Sequence, residues 1–117
     1  MPRILVVDDS AAIRELLRFV LEEEGYEVIE AADGVEGLQR YQADPTDLVI
    51  TDLTMPGMDG LELLKALRLV VPTPALMAIS GEPDTLTQAR RLTPHTFAKQ
   101  LPLEQILAAV RNLHLRP

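Results

Sequence analysis

Cysteine is absent from the sequence, which excludes disulfides and any thiolate zinc site and fits a reducing cytoplasm. No apolar run approaches the roughly 20 residues a membrane-spanning helix requires. The start, Met1-Pro2-Arg3 followed directly by an apolar run, lacks the layout of a signal peptide. Basic residues are scarce: 11 Lys and Arg stand against 18 Asp and Glu, a net charge of -7, and no basic run exceeds Arg90-Arg91. That balance argues against direct nucleic-acid binding through phosphate contacts. Repeats, linkers and low-complexity segments are also missing. What remains, 117 residues of which 47% are hydrophobic and 25% charged, suits one domain with one core.

Five short apolar runs alternate with helical patterns. Residues 4–7 read as a buried strand closed by Asp8-Asp9. Ser10 is placed to cap a helix whose apolar stripe is Ile13, Leu16, Leu17, Val20 and Leu21, and Gly25 ends it. Residues 27–31 are a second strand. Asp33 with Glu36 resembles a capping box that opens a helix to about Tyr41. Residues 48–51 form a third strand ending at Asp52, the Met55-Pro56-Gly57 turn follows, and a helix runs from about Gly60 to Leu69 with Leu61, Leu64 and Leu67 on one side. A strand at 75–79 ends at Ser80-Gly81. A helix then runs from Pro83-Asp84 to about Leu92, with a thin stripe of Leu86, Ala89 and Leu92. A brief strand at 96–98 ends at Lys99. Pro102 opens a last helix with Leu103, Ile106, Leu107, Val110 and Leu113 on its apolar face. The βαβαβαβαβα order with short loops and right-handed crossovers gives a parallel sheet between two layers of helices.

Four of the five strands end in polar groups that such a sheet brings to one edge: Asp8-Asp9, Asp52, Ser80 and Lys99. Each has a plain structural explanation. Aspartates after strands cap helices, a serine before glycine makes turns, and an isolated lysine is usually a solvated charge. Asp52 is the hardest to dismiss, because it ends an apolar strand with no helix immediately after it. The chemistry of the set is specific. Converging carboxylates repel one another and ask for a cation, and oxygen ligands with open positions suit Mg²⁺. A carboxylate can also attack phosphorus to give an aspartyl-phosphate. A metal, an ammonium and a hydroxyl around the equatorial oxygens would supply the positioning and charge neutralisation that phosphoryl transfer needs.

Val6-Val7-Asp8-Asp9-Ser10, the stretch from Asp47 through Asp52 and Thr54-Met55-Pro56-Gly57 to Asp59-Gly60, Ser80-Gly81 and Lys99 together resemble the receiver domains of two-component response regulators, chemotaxis-regulator-like proteins among them. The resemblance covers essentially the whole chain. It implies a single receiver domain over residues 1–117 with a flavodoxin-like (βα)5, doubly wound fold and a five-stranded parallel sheet in the order 2-1-3-4-5. It implies that Asp52 is the phosphoacceptor, taking its phosphoryl group from a sensor histidine kinase or phosphotransfer protein. Mg²⁺ would be held by Asp8, Asp9, Asp52 and the backbone carbonyl of Thr54. Ser80 would hydrogen-bond a phosphoryl oxygen, Lys99 would pair with Asp52 or its phosphoryl group, and Glu82 and Thr54 would tune the lifetime of the modification. The sequence departs from the family pattern in three places. Gln100 follows Lys99 where the family has proline, Thr96 stands where it has a switching aromatic, and the segment from Ser80 to Lys99 is a few residues short. Phe97 is expected on the opposite side of its strand, in the core.

The resemblance implies a cytoplasmic switch, not a turnover enzyme, which acts on a downstream target protein or an output domain absent from these residues and binds neither nucleic acid nor membrane. Monomer is the default. Two other classes stay open at this point: a degenerate receiver that binds partners independently of phosphorylation, and a Mg²⁺-dependent phosphatase working through the same aspartyl-phosphate, for which no general acid or substrate cap is evident. His95 and His114 read as loop and helix-end residues, Met77 as core, and Glu22-Glu23-Glu24 as a solvated, partner-accessible helix end.

Overall fold

The computed structural model describes residues 2–55, 58–98, 103–113 and 115. Residues 56–57, where the sequence predicts a turn, the segment 99–102 with Lys99, Gln100 and Pro102, and His114 lie outside the described residues.

Five strands, β1 (Arg3–Val7), β2 (Glu27–Ala31), β3 (Leu48–Asp52), β4 (Ala75–Ser80) and β5 (Thr96–Ala98), alternate with helices α1 (Ala11–Glu23), α2 (Gly34–Ala43), α3 (Gly60–Arg68), α4 (Pro83–Ala89) and α5 (Leu103–Asn112). All ladders are parallel, and the sheet order is β2-β1-β3-β4-β5. This is the flavodoxin-like doubly wound architecture. The apolar strands follow from it, because each is covered on both faces. Along β1, Leu5 and Val7 join Val49, Leu63, Leu64 and Leu67 in the cluster that contains residues of α2, α3 and α4, while Ile4 and Val6 join Leu17, Leu21, Ile50, Met77, Ile106 and Val110 on the other face. The sheet thus divides the core into two. Leu63, which the helical stripe of α3 did not single out, is fully buried, a burial that contributes roughly 2–3 kcal/mol.

Helix starts are set locally. Ser10, Asp33 and Asp59 are N-caps whose side chains accept from the amides of Ile13, Glu36 and Glu62. The expected capping box is displaced by one residue: the Glu36 carboxylate accepts from the amide of Ala32, not from that of Asp33. Gly25 takes φ 95° after the C-cap of α1, a conformation that favours glycine. α4 stops at Ala89, short of the expected Leu92. Arg91 and Leu92 continue as i→i+3 turns onto Gln88 and Ala89, and Leu92 still packs on the core. The acidic end of α1 is not simply solvated, since Glu22 pairs with Arg18 and Glu24 with Arg111 of α5. Phe97 packs with the α1 and α5 side of the sheet, as its strand position requires.

Tyr41 is buried in the α2 face of the core. Burial pushes its phenol above the ordinary value, and Asp47 adds to the shift. The fold favours the neutral phenol, so its contribution is complete below the unfolded value of about 10 and is lost as pH rises through the folded one. Chemical denaturation across that range is expected to show falling stability, with a shallower fall in Tyr41→Phe.

Candidate functional site

β1 and β3 deliver the acidic residues to one edge. Asp8 follows β1 directly and is 2% exposed, while Asp52 is the last residue of β3 and is 1% exposed. The strand ends in Asp52, as its apolar run indicates. Three contacts define the Asp8 turn. Its amide donates to the Ala31 carbonyl at 3.1 Å, its Oδ1 accepts from the Ser10 amide at 2.8 Å, and its carbonyl accepts from Arg14 at 2.6 Å. Asp8 thus serves the capping turn and the site together. Asp9 beside it is exposed. One ligand oxygen from each of Asp8, Asp9 and Asp52 lies within 4.8 Å of the others.

The donor set fits Mg²⁺. Mg²⁺ takes oxygen donors and keeps several waters, and Asp8, Asp9 and Asp52, with ligand oxygens within 4.8 Å of one another, would supply that donor type. Two buried carboxylates and one exposed one leave a solvent-facing side for waters or phosphate oxygens, and a dication would offset the mutual repulsion.

Asp52 is held from below. Its Oδ1 accepts from the Thr54 amide at 3.1 Å, its carbonyl accepts from the Thr51 hydroxyl at 2.8 Å, and the next amide, of Leu53, donates to Ile79 at 2.9 Å. Gly60 closes the turn by donating to the Leu53 carbonyl at 3.2 Å. A Cβ at Gly60 would lie 2.2 Å from the Asp52 carbonyl oxygen and 2.6 Å from the Leu53 Cα, so α3 can start against the backbone of Asp52 only through a glycine. The sequence marks Asp59-Gly60 as a helix start and as part of the receiver-like stretch, but not the seat of Gly60 on the Asp52 backbone. An Asp-Gly pair eight residues beyond a strand-ending carboxylate was the available signal.

Ser80 ends β4, fully buried, and its hydroxyl accepts from the Glu82 amide at 3.0 Å. Among the described residues its own proton has a long contact, 3.5 Å, to the Glu82 carbonyl. Glu82 is the N-cap of α4 without a side-chain cap bond. Its exposed carboxylate accepts instead from Thr85 at 3.2 Å. Thr54, Glu82 and Thr85 line one groove of about 200 Å³ with Met55 and Asp59. Thr96 is half-buried and registers with Ala78, while Ala98, the last described residue of β5, registers with Ser80. The structure therefore brings together Asp8, Asp9 and Asp52, and separately places Thr54 and Glu82 in one groove. Lys99 lies outside the described residues.

Comparison with known proteins agrees with this geometry. The family model for the response regulator receiver domain matches residues 4–111. Sporulation initiation phosphotransferase F of Bacillus subtilis is 37% identical over 113 residues, covering 94% of this chain and 91% of that protein. Response regulator MprA of Mycobacterium ulcerans is 38% identical over 114 residues, 95% of this chain but only 49% of the relative, so the chain spans about half of that longer protein. Among solved structures, response regulator protein TrrA from Thermotoga maritima, in complex with Mg(2+)-BeF, superposes with a TM-score of 0.89 at 33% identity, covering 97% of this chain and 99% of that one.

Proposed function

The chain belongs to the response regulator receiver family, whose members act as phosphoacceptor signalling modules, and from that premise we propose that Asp52 is the acceptor. The observation that carries this reading is the convergence of Asp8, Asp9 and Asp52 at the edge where β3 leaves the core. In transfer from a phosphohistidine, a carboxylate oxygen of Asp52 attacks phosphorus. The P–O bond forms as the P–N bond breaks, and the departing imidazole nitrogen keeps the electron pair.

Receiver domains bind Mg²⁺ at their acidic site, and here Asp8, Asp9, Asp52 and the Thr54 carbonyl would hold it. When bound, the ion neutralises charge on the transferring oxygens. The chain's own residues do the positioning. The Thr54 amide fixes Asp52 Oδ1, and the loosely engaged Ser80 proton turns to a phosphoryl oxygen. Lys99 would pair with the new charge, and Glu82 and Thr96 would tune its lifetime and readout.

Receiver domains partner with histidine kinases or phosphotransfer proteins. For this chain we place such a donor upstream, and downstream a target protein or an output domain outside these residues. Residues 1–117 act as one receiver domain, in the cytoplasm as response regulators generally do. Among the described residues no helix is long and apolar enough to cross a membrane. Neither the phosphorylation-independent module nor the phosphatase is favoured by the acidic cluster or by the relatives.

The test is intact-protein mass after incubation with Mg²⁺ and a small acyl-phosphate donor. One hydroxylamine-labile phosphoryl adduct is expected, and it should disappear in EDTA. Normal Mg²⁺ binding without an adduct would sink the acceptor assignment.

A further inference from the structure

Arg14 occupies a place that the phosphoacceptor chemistry does not explain. Its Nη1 donates to the Asp8 carbonyl at 2.6 Å, and its Nε meets Glu30 Oε1 at 3.2 Å. The other oxygen of Glu30 accepts from Arg18 at 2.6 Å. The Arg14 and Glu30 side chains are only 19% and 24% exposed, so this is not a solvated surface pair of the kind that contributes little. Glu30 sits in β2, registered against Val6, which anchors the network to the sheet. Arg18 in turn is held charged by its hydrogen bond to Glu30 first and to Glu22 second.

The Asp8 carbonyl belongs to the peptide that joins the two consecutive acidic residues. Asp8 itself is fixed by its amide and its Oδ1. Asp9 is exposed, and among the described residues no hydrogen bond or ion pair holds its carboxylate. The peptide plane before it places the Asp9 backbone from which that carboxylate extends, and the plane is held at its oxygen by Arg14. Groups that orient metal ligands in this indirect way typically carry a 10–100-fold share of metal affinity.

We infer that Arg14 is a positioning residue of the acidic site: backed by Glu30 and Arg18, it clamps the Asp8 carbonyl and presets the Asp8–Asp9 peptide for a divalent cation. The inference rests on reading that site as a Mg²⁺ site.

Charge alone predicts the opposite sign, because a guanidinium near the site repels Mg²⁺ and its removal would tighten binding. Isothermal titration of the unphosphorylated protein with Mg²⁺ separates the two. Arg14→Met, which keeps the aliphatic stem, is expected to weaken Mg²⁺ binding about tenfold. Arg14→Lys, which keeps the charge but loses the fork, should also bind more weakly and serves alone if the Met variant does not fold. Thermal melts in EDTA run beside these titrations. A lowered Tm with unchanged Mg²⁺ affinity, or tighter binding in Arg14→Met, would overturn the inference. Wild-type protein that binds no Mg²⁺ would instead overturn the underlying reading of the site, and the inference with it.

Discussion

Asp52→Asn is expected to yield no phosphoryl adduct under conditions in which the wild-type protein is fully modified. The amide matches the carboxylate in shape, and its oxygen can still accept from the Thr54 amide, which lies 3.1 Å from Asp52 Oδ1. The fold is therefore expected to stand, with a melting temperature in EDTA close to wild type. What goes is the anionic nucleophile and one of the three oxygens gathered within 4.8 Å. Mass spectrometry reads the first loss, and Mg²⁺ titration should show weakened binding for the second. A variant that is still modified once, with the group mapped to Asp8 or Asp9, would move the acceptor to a neighbouring carboxylate. Modification of a distant residue would reject the site altogether.

Gly60→Ala is expected to damage stability and chemistry together. The added Cβ would stand 2.2 Å from the Asp52 carbonyl oxygen, and backbone cannot swing aside as a flexible side chain can. Overpacking typically costs 1–3 kcal/mol, and contact with backbone puts this case at about 3 kcal/mol, a fall in Tm of about 10 °C or more. Because the displaced peptide carries Asp52, the rate of adduct formation should fall at temperatures where the variant is still folded. Gly37→Ala is the control. There the new methyl would meet side chains and no backbone, Val7 Cγ2 at 3.0 Å and Val7 Cγ1 and Leu63 Cδ2 at 3.4 Å, and alanine gains roughly 0.5–1 kcal/mol over glycine within a helix, so a change within about 1 kcal/mol is expected. Equal losses in the two variants would argue that α3 is not seated specifically on the acceptor's backbone.

These two glycines show where sequence reading reaches its limit. Asp52 could be singled out because an apolar strand ends in it, and that is a local pattern. The helix starts at Ser10, Asp33 and Asp59 were equally local, since each cap is satisfied within three residues. The order of polar strand ends in a βα repeat is enough to bring Asp8, Asp9 and Asp52 to one edge. What escaped depends on groups distant in sequence or on spacing that is ambiguous. Gly60 touches the peptide of Asp52, Arg14 spans from Asp8 to Glu30, and Leu63 widens the stripe of α3 because the core meets that helix on a broader face than Leu61, Leu64 and Leu67 imply. The end of α4 was overrun for another reason: Leu92 keeps its apolar partners while leaving the helix, so periodicity could not mark the stop.

The two rims of the sheet are β2 and the three-residue β5. β2 carries Glu27 and Glu30, which are engaged by Arg3, Arg14 and Arg18. A second molecule adding a strand beside β2 would approach charged, already paired side chains, while among the described residues β5 offers three as a template. A net charge of -7 also opposes close approach of a second copy, so charge and edge side chains together work against sheet-to-sheet growth.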